Sequence, residues 1–350
     1  MSRHDPNPRG TREAACHQER SVLKKSKAVS ESLQGQGTGG RFCYPSRRTK
    51  RFRQAEMGAG VARETRSRES GAVNVSVFGL SDIGRVRKNN EDSFAVCDLN
   101  TGEMNPFSSE HPLGSRGLLL LVADGMGGEM CGEVASNLCV AVIPSRLIEN
   151  LASANSDPPN LPRLLREAVE FANRAVFDKA QCERLCRGMG TTATAAAVVG
   201  ERLVVAQVGD SRAYLFRGGQ MLQLTRDQTF LNYLADRGAP LPAEPEKDSR
   251  RSILTQALGT RETLDVKLTG ARMRSQDAVL LCSDGLYSMV KPAEVLEILK
   301  NGDTPEGRCR ALIDAANRGG GADNVTAIVA QVSGPGLAPP DPTAAFQLEP

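Results

Sequence analysis

An antiparallel α+β sandwich is the fold class that this sequence predicts, on three observations. Short β-like runs follow one another without a regular alternation with helices. Two long amphipathic stretches stand together among those runs. Several runs are apolar at almost every residue, as strands covered on both faces are. A doubly wound parallel sheet needs a helix after nearly every strand, and this order lacks that repeat.

The elements follow in order. VNVSVFGL (Val73–Leu80) alternates with period two, the pattern of a half-buried strand. GLLLLVAD, ending at Asp124, is apolar up to its last residue and reads as a central strand. Helical periodicity appears at 132–150 and 161–180, where Leu161, Leu164, Leu165, Ala168, Phe171 and Ala172 form one stripe. TTATAAAVV and RLVVAQV are separated only by Gly200 and Glu201, so a tight hairpin is expected there. Shorter helices are expected near 228–237, 292–300 and 305–317. DAVLLCSD (Asp277–Asp284) and VTAIVAQV (Val325–Val332) complete the buried strands.

Charge divides the chain. Residues 1–70 hold sixteen Lys and Arg against seven Asp and Glu, a balance of +9, while the remainder balances at −6. With few apolar residues and no periodicity, residues 1–70 read as a disordered basic N-terminal extension. Its cluster RRTKRFR (Arg47–Arg53) reads as a solvated basic tail, with no specific nucleic-acid site. Met57 is a second candidate first residue. A domain over 71–333 and a Pro-rich C-terminal tail over 334–350 complete the division. No run of eighteen consecutive apolar residues occurs, so no transmembrane helix is expected, and no apolar leader opens the chain. Nine cysteines, odd in number and without a CxxC pair, fit a reducing, cytoplasmic setting better than a disulfide framework.

Five aspartates stand where apolar runs end or begin: Asp92, Asp124, Asp210, Asp284 and Asp323. Any one of them is an ordinary turn residue. Five at strand ends of one core converge on one rim, and converging anions repel unless a positive charge sits among them. Oxygen ligands without histidine suit hard cations such as Mg²⁺ or Mn²⁺. The domain holds one histidine, His111, in a polar stretch, which disfavours zinc and a Ser-His-Asp mechanism. Gly125 leaves room for its carbonyl to approach a cation bound by Asp124. A carboxylate shared by two cations makes the water between them acidic, the chemistry that hydrolysis of phosphate esters needs. Arg87, five residues before Asp92, presents a guanidinium fork that matches phosphate oxygens.

The motifs SDIGRVRKNNEDS, VADGMGG, GMGTTATAA, VGDSRAYL, LTRDQTF, ILTQALG, LLCSDGL and ADNVTAIV occur in the order and spacing of one family. Over about 76–332 the chain resembles the metal-dependent type 2C serine/threonine protein phosphatases, in their bacterial wording. That resemblance implies a four-layer αββα sandwich of two antiparallel sheets flanked by helices. It implies that Asp124 bridges two Mn²⁺ or Mg²⁺ ions and that the Gly125 carbonyl is a further ligand. Asp284 and Asp323 would complete the first metal site. Asp92, with Glu91 beside it, would hold water on the second. Asp210 would join Asp284 at a third, weaker ion. Arg87 would bind the substrate phosphate, and residues 219–252 would form a mobile flap next to the site.

The implied activity is metal-dependent hydrolysis of phosphoserine and phosphothreonine in proteins that a serine/threonine kinase has phosphorylated, by a cytoplasmic monomer. Some family members carry a histidine after the DG pair. Here that position is Met126, which cannot donate a proton, so the general acid is unassigned. The segment LPAEPEKDSRRS departs from the usual flap wording and leaves substrate choice open. A silent regulatory or sensor module on the same fold is the alternative; it requires lost ligands, and none of the five aspartates is lost. A haloacid-dehalogenase-type hydrolase requires DxDx[TV] at a strand end, whereas this strand reads VADGM.

Overall fold

A computed structural model describes residues 72–349, apart from 106–110, 128–130, 156–158 and 246–247. The basic extension expected over 1–70 lies outside the described residues. In chain order the elements are β1 (Asn74–Asp82), β2 (Asp92–Asp98), β3 (His111–Pro112), β4 (Leu118–Met126), α1 (Cys131–Ala152) and α2 (Leu161–Cys182). A 3-10 turn at Arg184–Cys186 leads to β5 (Gly190–Thr191), β6 (Ala193–Val199), β7 (Arg202–Val208), β8 (Arg212–Arg217), β9 (Gln220–Gln223) and α3 (Phe230–Asp236). Then come β10 (Lys267–Arg272), β11 (Ala278–Cys282), α4 (Asp284–Tyr287), α5 (Pro292–Asn301), α6 (Pro305–Arg318), β12 (Val325–Ser333) and β13 (Leu348–Glu349).

The strands form two sheets, in the orders β3-β1-β12-β11-β8-β9 and β13-β10-β7-β6-β4-β2. The strand pairs within them are antiparallel. The expected hairpin is present: Val199 pairs with Arg202, and Gly200 takes the positive φ of 57° that the turn requires.

Side-chain alternation builds the layers. On β4, Leu118, Leu120 and Val122 pack between the two sheets, with Val75, Val205, Leu215, Leu281 and Ile328. Leu119, Leu121 and Ala123 face the other way, against Ile143 and Leu147 of α1 and Leu165 and Val169 of α2. The sheet of β1, β12, β11 and β8 is covered in the same manner by α5 and α6, through Val295, Leu299, Leu312 and Ala316. The result is an αββα sandwich in which β4 is covered on both faces, which is why its sequence is apolar without alternation.

Helix α1, 22 residues long, is apolar enough by length and composition to cross a membrane. Its apolar residues Cys139, Ile143 and Leu147 are buried against the sheet, so burial in a core accounts for that composition. The Pro-rich segment after Gly334, expected as a tail, runs back over the sandwich. Leu337 is buried in the layer between the sheets, the Ala345 carbonyl accepts a 3.1 Å hydrogen bond from Arg217 Nη1, and Leu348 pairs with Ala271 of β10. Composition hid this because the contacts reach back more than a hundred residues to Arg217.

Candidate active site at the strand ends

The layer between the sheets turns from apolar to polar at one end. Along β4 the inward series Leu118, Leu120, Val122 continues to Asp124; along β2, Val96 and Phe94 lead back to Asp92. On the facing sheet, Ile328 leads to Thr326 and Leu281 to Ser283. Period-two alternation therefore aims four polar side chains into the same end of the sandwich. Asp92 and Asp124 are cross-strand partners in the β2–β4 register.

Each carboxylate has a distinct setting. Asp92 is buried, and its Oδ2 accepts hydrogen bonds from Ser283 Oγ and Thr326 Oγ1, both at 2.7 Å. Asp124 is half-buried; its amide donates to Thr192 Oγ1 at 2.9 Å, and its carbonyl accepts from the Thr192 amide at 2.8 Å. Asp284 opens α4 one residue after β11, with its carboxyl facing that of Asp124. Asp210 is buried beyond β7, and its carbonyl accepts a 3.1 Å hydrogen bond from Tyr287. Asp323, in the loop before β12, accepts 2.7 Å from Arg87 Nη2 and 2.8 Å from the Asn324 amide. Asp92, Asp124, Asp210, Asp284 and Asp323 are thus gathered at one rim, with Arg87 on its exposed side and Glu91 beside it.

Electrostatics follow from that crowding. Burial, then Asp92, Asp284, Asp210 and Asp323, holds the Asp124 carboxyl well above the ordinary range. Burial pushes Asp92 up to about 7, against its two hydroxyl hydrogen bonds. Burial, with Asp284 and Asp227, takes Asp210 to about 7 as well. Asp284 is raised by burial and by Asp323, and Glu91 by burial. The hydrogen bond to Asp323 is the main cause that raises Arg87.

The neutral forms favoured at Asp92, Asp124, Asp210 and Asp284 call for positive charge, and oxygen donors without imidazole or thiolate suit Mg²⁺ or Mn²⁺. The backbone at Gly125 is correspondingly tight: a Cβ there would lie 2.2 Å from the Gly132 carbonyl and 2.7 Å from the Glu91 carbonyl. The residues fit a pair of divalent cations. The carboxylates are gathered rather than closed: among the described residues no three carboxylate, imidazole or thiol groups form a ready ligand set. Asp323 is engaged by Arg87, and Asp92 by two hydroxyls.

Several residues of the site were not singled out from the sequence. Ser283 and Thr326 orient Asp92. Asn324 donates from Nδ2 to the Ile83 and Asn89 carbonyls, both at 2.9 Å, and accepts 2.8 Å from the Glu91 amide, so it clasps the turn that carries Arg87. Gly84, at φ +83°, lets that turn approach Asp323, whose carbonyl would lie 2.3 Å from an added Cβ. Arg212 grips Asp227 through two nitrogens, at 2.9 and 2.6 Å, and stacks 3.5 Å from the Tyr287 ring. The signal for the first three lay inside the motifs, as the Ser before Asp284 and the Asn-Val-Thr after Asp323.

Met126 is exposed at the end of β4. His111 pairs with Val75, at the far end of β1 from the Arg87 turn. Residues 219–252 contain β9 and α3, and Gln228 binds both the amide and the carbonyl of Gly209, next to Asp210.

The comparisons with known proteins agree with this fold. The family model for protein phosphatase 2C matches residues 76–232. The serine/threonine phosphatase stp of Listeria innocua is 33% identical over 251 residues, 72% of this chain and 93% of that protein. PstP of Mycobacterium tuberculosis is 40% identical over 254 residues, and this chain spans only 44% of its length. The crystal structure of Mycobacterium tuberculosis PstP/Ppp matches with a TM-score of 0.60 at 36% identity, covering 74% of this chain and 99% of that one. The PstP catalytic domain solved with two manganese ions matches with a TM-score of 0.57 at 37% identity, covering 75% and 99%. The chain belongs to the protein phosphatase 2C family.

Proposed function

We propose that this chain hydrolyses phosphoserine and phosphothreonine in proteins, with Mn²⁺ or Mg²⁺ as cofactor. The observation that carries the reading is the convergence of five carboxylates from both sheets on one rim, beside a single arginine. Asp124 would serve both cations, the Gly125 carbonyl, Asp284 and Asp323 would hold the first, and Asp92 and Glu91 would hold the second. Asp210 and Asp284 would serve a third. When bound, the cations supply an acidic water as nucleophile and positive charge for the phosphoryl oxygens. Ser283 and Thr326 hold Asp92 in place, and Thr192 fixes the backbone of Asp124. Arg87 would orient the phosphate, because its exposed fork can exchange the Asp323 carboxylate for another anion. Neither Met126 nor His111 is in a position to protonate the leaving oxygen.

The substrates are proteins phosphorylated by a serine/threonine kinase, and the enzyme works as a monomer in the cytoplasm. The seven described cysteines, all unbridged, support a reducing compartment. An assay of a phosphothreonine peptide with Mn²⁺, with Mg²⁺ and with EDTA tests the reading. Turnover is expected with either metal and should fall at least about a hundredfold in EDTA. Asp124→Ala should fall by the same factor. Retention of a tenth of the wild-type rate by that variant would reject the two-cation reading. Equal and negligible turnover in all three conditions would favour the regulatory module.

A further inference from the structure

Two thiols outside the phosphatase machinery stand in contact. Cys131 Sγ lies 2.6 Å from Cys186 Sγ, though 55 residues separate them in sequence. The two sulfurs are thus within reach of a bond of about 2.05 Å. Cys131 is the first residue of α1, and Cys186 ends the 3-10 turn after α2. Both belong to a small apolar cluster with Ala135, Val176, Ala180 and Met189. The other described buried cysteines, Cys97, Cys139, Cys282 and Cys309, are dispersed among the main cores. The turn above the pair is open to solvent: Leu185 is 93% exposed, and its carbonyl is 3.2 Å from the Cys131 thiol.

We propose that Cys131 and Cys186 are a redox pair that closes into a reversible disulfide, stapling the start of α1 to the turn before β5. Both stapled segments adjoin the Asp124 loop: Gly132 packs on Gly125, and β5 pairs Thr191 with Gly125 and Gly190 with Met126. The oxidant is a hydroperoxide. The Cys131 sulfur attacks its distal oxygen, the O–O bond breaks, and a sulfenic acid forms with release of water from hydrogen peroxide. The Cys186 sulfur then displaces the sulfenic hydroxyl, which leaves as a second water. Two thiols and one peroxide give one disulfide and two waters, and the two electrons pass from sulfur to oxygen. A small dithiol reverses the reaction.

The test uses the full chain, reduced and then treated with hydrogen peroxide. After blocking of free thiols, proteolysis and mass mapping should give one cross-linked pair, Cys131 with Cys186, that dithiothreitol releases. The oxidised protein should melt about 5–10 °C above the reduced protein. Cys186→Ser should melt with the reduced wild type and show no rise on oxidation, while Cys182→Ser should keep the rise. If Cys186→Ser does not fold, Cys131→Ala and the wild-type map carry the test. Recovery of Cys131 and Cys186 as free thiols after peroxide, pairing of either with the exposed Cys182, or an unchanged melting temperature overturns the proposal.

Discussion

Arg87 and Asp92 show how single side chains divide the work of the site. Arg87 holds Asp323 at 2.7 Å from an exposed position, so its charge is available to a second anion at little desolvation cost. Arg87→Ala is expected to raise KM for a phosphopeptide about tenfold while lowering kcat less, because the arginine binds charge already present in the ground state. Arg87→Lys should recover only part, since an ammonium lacks the planar fork. Steady-state kinetics on all three proteins would show it, and a large loss of kcat at unchanged KM would contradict it. Asp92 gives a pH prediction. Its carboxyl, pushed up to about 7 in the fold from an ordinary 3.8, stays protonated where the unfolded chain is already ionised. The folded state then binds more protons. The stability that this group contributes is complete below about 4 and is lost as pH rises through about 7. In EDTA, Asp92→Asn should therefore gain on the wild type in melting temperature between pH 5 and pH 8. Added Mn²⁺ should raise the wild type more at pH 8 than at pH 5. A difference between the two proteins that stays flat across that range would show that Asp92 is not held protonated by the fold.

At the scale of elements, the rim depends on strand ends being held in register. The turn from β1 to β2 has few apolar contacts of its own, with Val86 67% exposed. Asn324 replaces packing with three hydrogen bonds to that turn. Asn324→Ala strands an amide and two carbonyls, at a cost of about 1–3 kcal/mol in stability. It should also raise KM, because Arg87 loses its footing. Asn324→Asp keeps the acceptor for the Glu91 amide but loses both donors, and should fall between. Melting curves alone would not separate a structural from a positioning role, so KM is the deciding measurement; an unchanged KM in Asn324→Ala would leave this residue with a purely structural part.

Over the whole molecule, the last seventeen residues act as a strap. Arg217 and Asp277 form an ion pair 4% and 2% exposed, with Arg217 Nη2 on Asp277 Oδ2 at 2.7 Å. The remaining donors of Arg217 are satisfied by the Arg272 and Ala345 carbonyls, and Phe346 covers the guanidinium at 5.2 Å. Removing residues 334–350 strips one of these acceptors, the covering ring and the buried Leu337. The loss should cost about 2–4 kcal/mol, or about 5–15 °C in melting temperature. Differential scanning calorimetry of the truncated chain would measure it, and a melting temperature within error of the full chain would show that the strap is dispensable. Arg217→Ala should cost more, about 3–5 kcal/mol, because it leaves the Asp277 charge buried and unpaired.

What the amino-acid sequence determined by itself was local and periodic. Strands β1, β4, β6, β7, β11 and β12, both long helices and the hairpin at Gly200 follow from patterns that act over a few residues, whereas β8 and β10 were not read from the sequence; an aspartate closing an apolar run is visible wherever it occurs. The inward parity of Asp124 is already set by Leu118, Leu120 and Val122, because side chains on a strand alternate without exception in a regular ladder. Only the tertiary structure decided which distant groups those aspartates meet. Ser283 reaches Asp92 from 191 residues away, Thr326 from 234, and Arg87 meets Asp323 across 236. These contacts exist because β12 lies between β1 and β11, an order that local patterns do not encode. The docking of the Pro-rich strap is of the same kind. Its prolines and glycines specify no periodic element, and its place is set by the covering of Arg217 and the layer into which Leu337 packs.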